Sequence, residues 1–141
     1  MNIRSYFQTK NKEKRARADR EAQLQKIGLQ FPVFCKIHAV KSPDHQGAIV
    51  QSRVGDKLQI VHTPTPNRPY CCSVYNIGLN RVLGFIEDGL AEKLTRAFGE
   101  NFYRDGEVEQ ITGGPPLAYF GCNIRVMDTQ YFLEEMTNEL Y

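Results

Sequence analysis

Between Lys10 and Lys26 the chain carries neither Gly nor Pro and one large aliphatic residue, Leu24. From Phe31 onward it turns to β-branched and aromatic residues, interrupted at short intervals by Gly, Pro, Asn and Asp. This switch constrains the fold more than any single motif. The first stretch is dominated by strong helix formers, yet a helix there has almost no apolar face to bury, so packing cannot be its main support. It reads as an extended or marginally helical arm ending near Gly28, with residues 1–28 as arm and residues 29–141 as the folded domain.

Charge divides at the same place. Residues 1–26 hold eight basic and three acidic side chains, a balance of +5, whereas the rest hold ten and thirteen, a balance of −3. Attraction for phosphate must therefore lean on the arm. At 141 residues the chain is one domain of ordinary size, able to bury a core without disulfide or metal staples. It has no apolar run of membrane-spanning length, and charge stands where a secretion signal would be apolar. The expectation is a reducing, intracellular (cytoplasmic) protein with no membrane partner.

In the body, residues 32–40 read as a strand closed by turn residues Ser42, Pro43 and Asp44, and residues 48–54 as one helical turn. Lys57 to His62 alternates, with Leu58 and Ile60 on one side and Lys57 and Gln59 on the other, which marks a half-buried strand. Three prolines make residues 63–69 irregular. Further strands are expected at 72–76, 81–86, 106–112 and 118–127. Asp88 is the expected cap of a helix through Leu90, Leu94 and Phe98, with Glu92 and Arg96 paired and Gly99 as the stop. A short amphipathic helix is expected from Gln130 to Leu140. The sum is a mainly β chain: a small six-stranded barrel with one internal helix, capped by a C-terminal helix.

The chemistry-bearing residues form no obvious catalytic set. His38, His45 and His62 and the four cysteines show no zinc-ligand spacing, and Cys71-Cys72, neighbours on extended chain, point to opposite faces. Cys35 and Cys122 sit in apolar strands as small hydrophobes. Cys71, at the mouth of a loop near His62, is the best candidate nucleophile, but nothing supplies an orienting third group. Gly113-Gly114 is followed by Pro115-Pro116, which suits a turn and no phosphate loop. The expectation is no enzyme, no metal and no cofactor.

A string of short motifs resembles the HIRAN domain: Gly55-Asp56-x-Leu58, Pro66-Asn67-x-Pro69-Tyr70, Val82-Leu83-Gly84-Phe85-Ile86 leading to Leu90-Ala91, and Ile111-Thr112-Gly113-Gly114 with Gly121-x-Asn123-Ile124. Their order covers about residues 31–127. The resemblance implies a small OB-like or SH3-like barrel, found at the front of some Swi/Snf-type helicases and alone in bacteria, that grips the free 3′ end of single-stranded DNA, and hence a setting in DNA repair. Tyr70 matches the family tyrosine that stacks on a terminal base. The aspartate that follows it and binds the 3′ hydroxyl is here Cys71, a poor acceptor. Lys41 and Ser42 fall where members carry a basic and an aromatic DNA contact. Phe85 stands at a position that can be histidine and Asp88 at one that can be lysine, while Tyr119 or Phe120 stands in for an aromatic near the last strands. Two expectations follow: a single-stranded nucleic-acid module with weakened 3′-end recognition, or a protein-interaction module that keeps the barrel without the DNA pocket. Separately, Ile3-x-x-Tyr6-Phe7 before lysines resembles the rear half of a sliding-clamp-binding peptide; its glutamine would fall before Met1, and the same spacing serves as a simple helix-docking face.

Overall fold

The computed structural model of the chain describes residues 3–129, so the helix expected from Gln130 to Leu140 lies outside the described residues. Two compact units divide the chain, Met1–Gln30 and Phe31–Tyr141.

In the first unit the arm is a regular helix, α1 (Ile3–Lys26), and not extended chain. Once nucleated, an uninterrupted run of helix formers propagates because each added residue gains one hydrogen bond. Thr9 Oγ1 donates back to Ser5 O at 3.0 Å, and Lys10 pairs with Glu13. The end is a Schellman motif: Gly28, at φ 82°, donates to Gln25 O, and Leu29 N–H reaches Leu24 O. Residues 8–23 are exposed throughout.

The second unit is a six-stranded antiparallel sheet with two helices among its described residues. The strands are β1 (Val33–Lys36), β2 (Lys57–His62), β3 (Cys72–Asn76), β4 (Arg81–Phe85), β5 (Tyr103–Gly113) and β6 (Phe120–Val126), in the order β1-β6-β5-β2-β3-β4. β1 lies on β6 with Val33 opposite Val126. The long β5 gives residues 103–107 to β2 and residues 106–113 to β6, shifting register between Val108 and Gln110. A second irregularity falls at Val74/Tyr75. Such bulges bend and twist a strand, and the sheet curls until its outer members meet: His38 N–H donates to Phe85 O (2.8 Å) and Phe85 N–H to His38 O (2.9 Å). Gly84 permits this closure, since a Cβ there would lie 2.5 Å from His38 O.

Inside the curl are Ile37, Leu58, Ile60, Val74, Leu83, Ile86, Val108, Ile124 and Val126, with Ile49 and Leu94 from the helices. β2 alternates as expected, every second residue from Leu58 to His62 being buried. Helix α3 (Asp88–Phe98) stops at Gly99, but its cap is Glu87 and not Asp88: the Glu87 carboxylate accepts from Gly89 N (2.7 Å) and Leu90 N (3.0 Å). The other helix, α2 (Pro43–Gln51), replaces the expected turn and single helical turn. Ser42 caps it and Pro43 opens it, where a missing N–H and a fixed φ suit the first helical position. Asn76, buried, ties its far end to the sheet through Ser52 Oγ and Asp56 Oδ2, each at 3.1 Å.

Candidate functional site

The β2–β3 connection owes its shape to a tight turn, Thr65-Pro66-Asn67-Arg68, with Pro at the second position and Arg68 N–H bonded to Thr65 O at 3.0 Å. Beyond it the chain returns beside its entry, Thr63 N–H reaching Cys71 O at 2.8 Å. His62 holds the loop from beneath. Its Nδ1 accepts the Asn101 N–H (2.9 Å), so its Nε2 carries the proton and donates to Pro69 O (2.8 Å), while the ring stacks on Phe102. With both nitrogens bound to backbone, His62 is a strut between two loops and is not placed to serve Cys71 as a base.

The loop faces α3 across a cleft of about 250 Å³ lined by Asn67, Arg68, Pro69, Tyr70, Cys71, Asp88, Gly89 and Glu92. Tyr70 is half-buried at its mouth. The Arg96 guanidinium lies 5.6 Å from the ring centroid, and its Nη2 donates to Tyr70 Oη at 3.3 Å. Arg96 is also held by Glu92 Oε1 (2.8 Å), the expected i,i+4 pair, and Arg68 Nη2 meets Asp88 Oδ1 at 2.5 Å. Cys71 is buried in the cleft wall.

The remaining expected residues gather around the first turns of α2. Lys41 Nζ sits 5.4 Å from the Tyr119 ring centroid. The Ser42 hydroxyl accepts from His45 N, and the His45 ring meets Phe85 edge-on. Gln46 joins the group to the sheet: its amide donates to Val40 O (2.8 Å) and Phe120 O (2.9 Å), and its oxygen accepts from Phe120 N (2.9 Å). The seven expected residues thus fall into two groups, Tyr70 with Cys71 at the cleft and Lys41, Ser42, Phe85, Tyr119 and Phe120 around α2. Among the described residues no ring contact or hydrogen bond joins one group to the other. Sequence reading missed Arg68, Arg96 and Gln46 as partners. Ser42-Pro43-Asp44 is a helix-start signal that places Gln46 on a first turn, but Arg96 stands 26 positions from Tyr70 and no local pattern links them.

Cys35, Cys72 and Cys122 are shifted away from reactivity. Burial pushes Cys72 up to about 12, although Thr95 hydrogen bonding opposes it; Cys122 goes to about 12 and Cys35 to about 11, each chiefly through burial. These are protonated, unreactive side chains. Among the described residues no three His, Cys, Asp or Glu side chains are placed to hold a metal ion, and no helix is long and apolar enough to cross a membrane. Ile3, at the start of α1, is exposed, and the side chains of Tyr6 and Phe7 lie outside those described. Comparison with known proteins finds no matching family model, no matching curated protein and no matching solved structure.

Proposed function

We propose that the second unit is a HIRAN-like, OB-related module that binds single-stranded nucleic acid and discriminates little between a free and a blocked 3′ end. The observation that carries this reading is Tyr70 in the lining of a cleft it shares with Arg68, with the Arg96 guanidinium against its ring. An aromatic face offers stacking to any base, worth ~1–3 kcal/mol per base, and guanidinium groups suit the flanking phosphates. The exposed Lys41–Tyr119 pair offers a second such combination, and the basic α1 adds phosphate attraction. Cys71 offers a terminal hydroxyl only a weak acceptor. A protein-interaction module is the second reading, favoured by the −3 balance of the body and by Asp88 and Glu92 in the cleft.

Titration of a labelled single-stranded oligonucleotide at several salt concentrations tests the choice. Affinity should fall steeply with salt, be nearly equal for free and blocked 3′ ends, and drop about tenfold or more in Tyr70→Ala, in line with ~1–3 kcal/mol for a lost stack. No binding to DNA or RNA at low salt returns the interaction module. A strong preference for free 3′ ends would mean that a cleft residue other than Cys71 supplies the acceptor.

A further inference from the structure

Asp88, Glu92 and Arg96 recur every fourth residue along α3, so they form one stripe, and its first two members line the cleft opposite the loop. Each carboxylate on it holds an arginine: Asp88 holds Arg68 at 2.5 Å, and Glu92 holds Arg96 through Nη2 at 2.8 Å and Nε at 3.2 Å. The second pair also fixes a guanidinium over Tyr70. The cleft lining therefore holds one cation, Arg68, against two anions, Asp88 and Glu92, with Arg96 beside it on Glu92 and the Tyr70 ring; the four side chains together carry no net charge, although two of them are well suited to grip phosphate. A carboxylate and a phosphate compete for the same planar fork of N–H donors.

We infer that Asp88 and Glu92 are built-in competitors for nucleic-acid phosphate, holding Arg68 and Arg96 in an exchangeable ion-pair latch across the Tyr70 cleft. The inference rests on the nucleic-acid reading above and adds what sets its affinity. Exchange is cheap because all four side chains are well exposed, from 42% for Glu92 to 77% for Asp88, and exposed pairs hold weakly. An incoming strand takes each guanidinium from its carboxylate, and Arg96 can then leave the ring free for a base. The two anions remain beside the strand and lower its affinity, so the acidic stripe is an affinity brake and not a second site.

The test is titration of a fluorescein-labelled oligothymidylate of about 12 nucleotides, a length within the range one OB-type fold covers, with the full chain and its variants. Asp88→Asn and Glu92→Gln keep shape and remove charge. Each should tighten binding roughly two- to fivefold at low salt, the scale of one exposed ion pair, and steepen the log–log salt dependence by about 0.7 per freed arginine. Glu100→Gln, the same charge change on an exposed residue outside the cleft, should have a smaller effect. In an Arg68→Ala background the gain from Asp88→Asn should shrink to the repulsion that Asp88 alone exerts on the strand, well below its gain when Arg68 is present. Equal gains from Asp88→Asn and Glu100→Gln, or a gain undiminished by Arg68→Ala, would overturn the latch and leave the nucleic-acid reading standing. Unchanged or weaker binding in both cleft variants would do the same. If neither the wild-type chain nor any variant binds, the nucleic-acid reading fails and the latch with it.

Discussion

The Tyr70 cleft and the cluster at the start of α2 contain similar side chains, aromatics beside cations, but are held by different forces. At α2, Gln46 satisfies three backbone groups in a half-buried setting, next to the point where the sheet closes on itself. At the cleft, His62 holds the loop from beneath, but what crosses from the loop to α3 is the exposed Arg68–Asp88 pair and the Arg96–Tyr70 contact. Hydrogen bonds to partly buried backbone are expensive to lose, whereas exposed ion pairs re-form with whatever ion is near. The contrast separates a site built to stay in place from one built to exchange partners.

The sharpest way to break this contrast is Gln46→Ala. It leaves Val40 O and both polar groups of the Phe120 peptide without their partner, so it should lower stability by ~3 kcal/mol at ~1–3 kcal/mol per buried group left unsatisfied. The denaturation midpoint in urea measures it, and a change below about 0.5 kcal/mol would place Gln46 outside the framework.

A smaller effect is expected at the α3 cap. Backbone N–H groups of Gly89 and Leu90 hold the Glu87 carboxyl below its ordinary value of 4.5. A group depressed in the folded state stabilises above its unfolded pKa and loses that contribution as pH falls through the lower folded value. Glu87→Gln should therefore cost about 1 kcal/mol at neutral pH, the usual scale for a helix cap. The gap between variant and wild type should close as the pH drops below 4.5; urea midpoints at neutral and acidic pH give both numbers. A gap independent of pH would show that the capping carboxylate does not titrate with folding.

The smallest effect should come from the cleft itself. Arg68→Ala with Asp88→Asn removes an exposed pair and should leave the thermal midpoint nearly unchanged, as surface substitutions usually do. A large destabilisation would make the ion pair part of the framework and erase the difference between the two regions.

What the sequence made legible follows the same division between local and distant causes. Leu58 and Ile60 announced β2 because strand periodicity is written in adjacent residues, and Leu94 with Glu92 and Arg96 announced α3 in the same way. The start of α2 was also local, but Ser42-Pro43-Asp44 has two readings, turn or helix cap, and only the packing of Ala48 and Ile49 into the core decides between them. The arm lacks an apolar face, and its helix is sustained by the propensity of its residues together with local contacts such as Lys10–Glu13 and the Gly28 cap, none of which periodicity announces. Tyr70 was singled out, yet its setting depends on Arg96, and that contact exists only because the loop after β2 folds back against α3.

The pairing of Val33 with Val126 has a consequence of another kind. Among the described residues the first and last strands lie side by side, so the backbone enters and leaves the sheet through neighbouring strands, about 5 Å apart where they pair. A sheet whose entry and exit strands adjoin can be spliced into a loop of a larger protein without prying the host apart. Such a body is portable: it can be carried by another chain while its six strands keep their register.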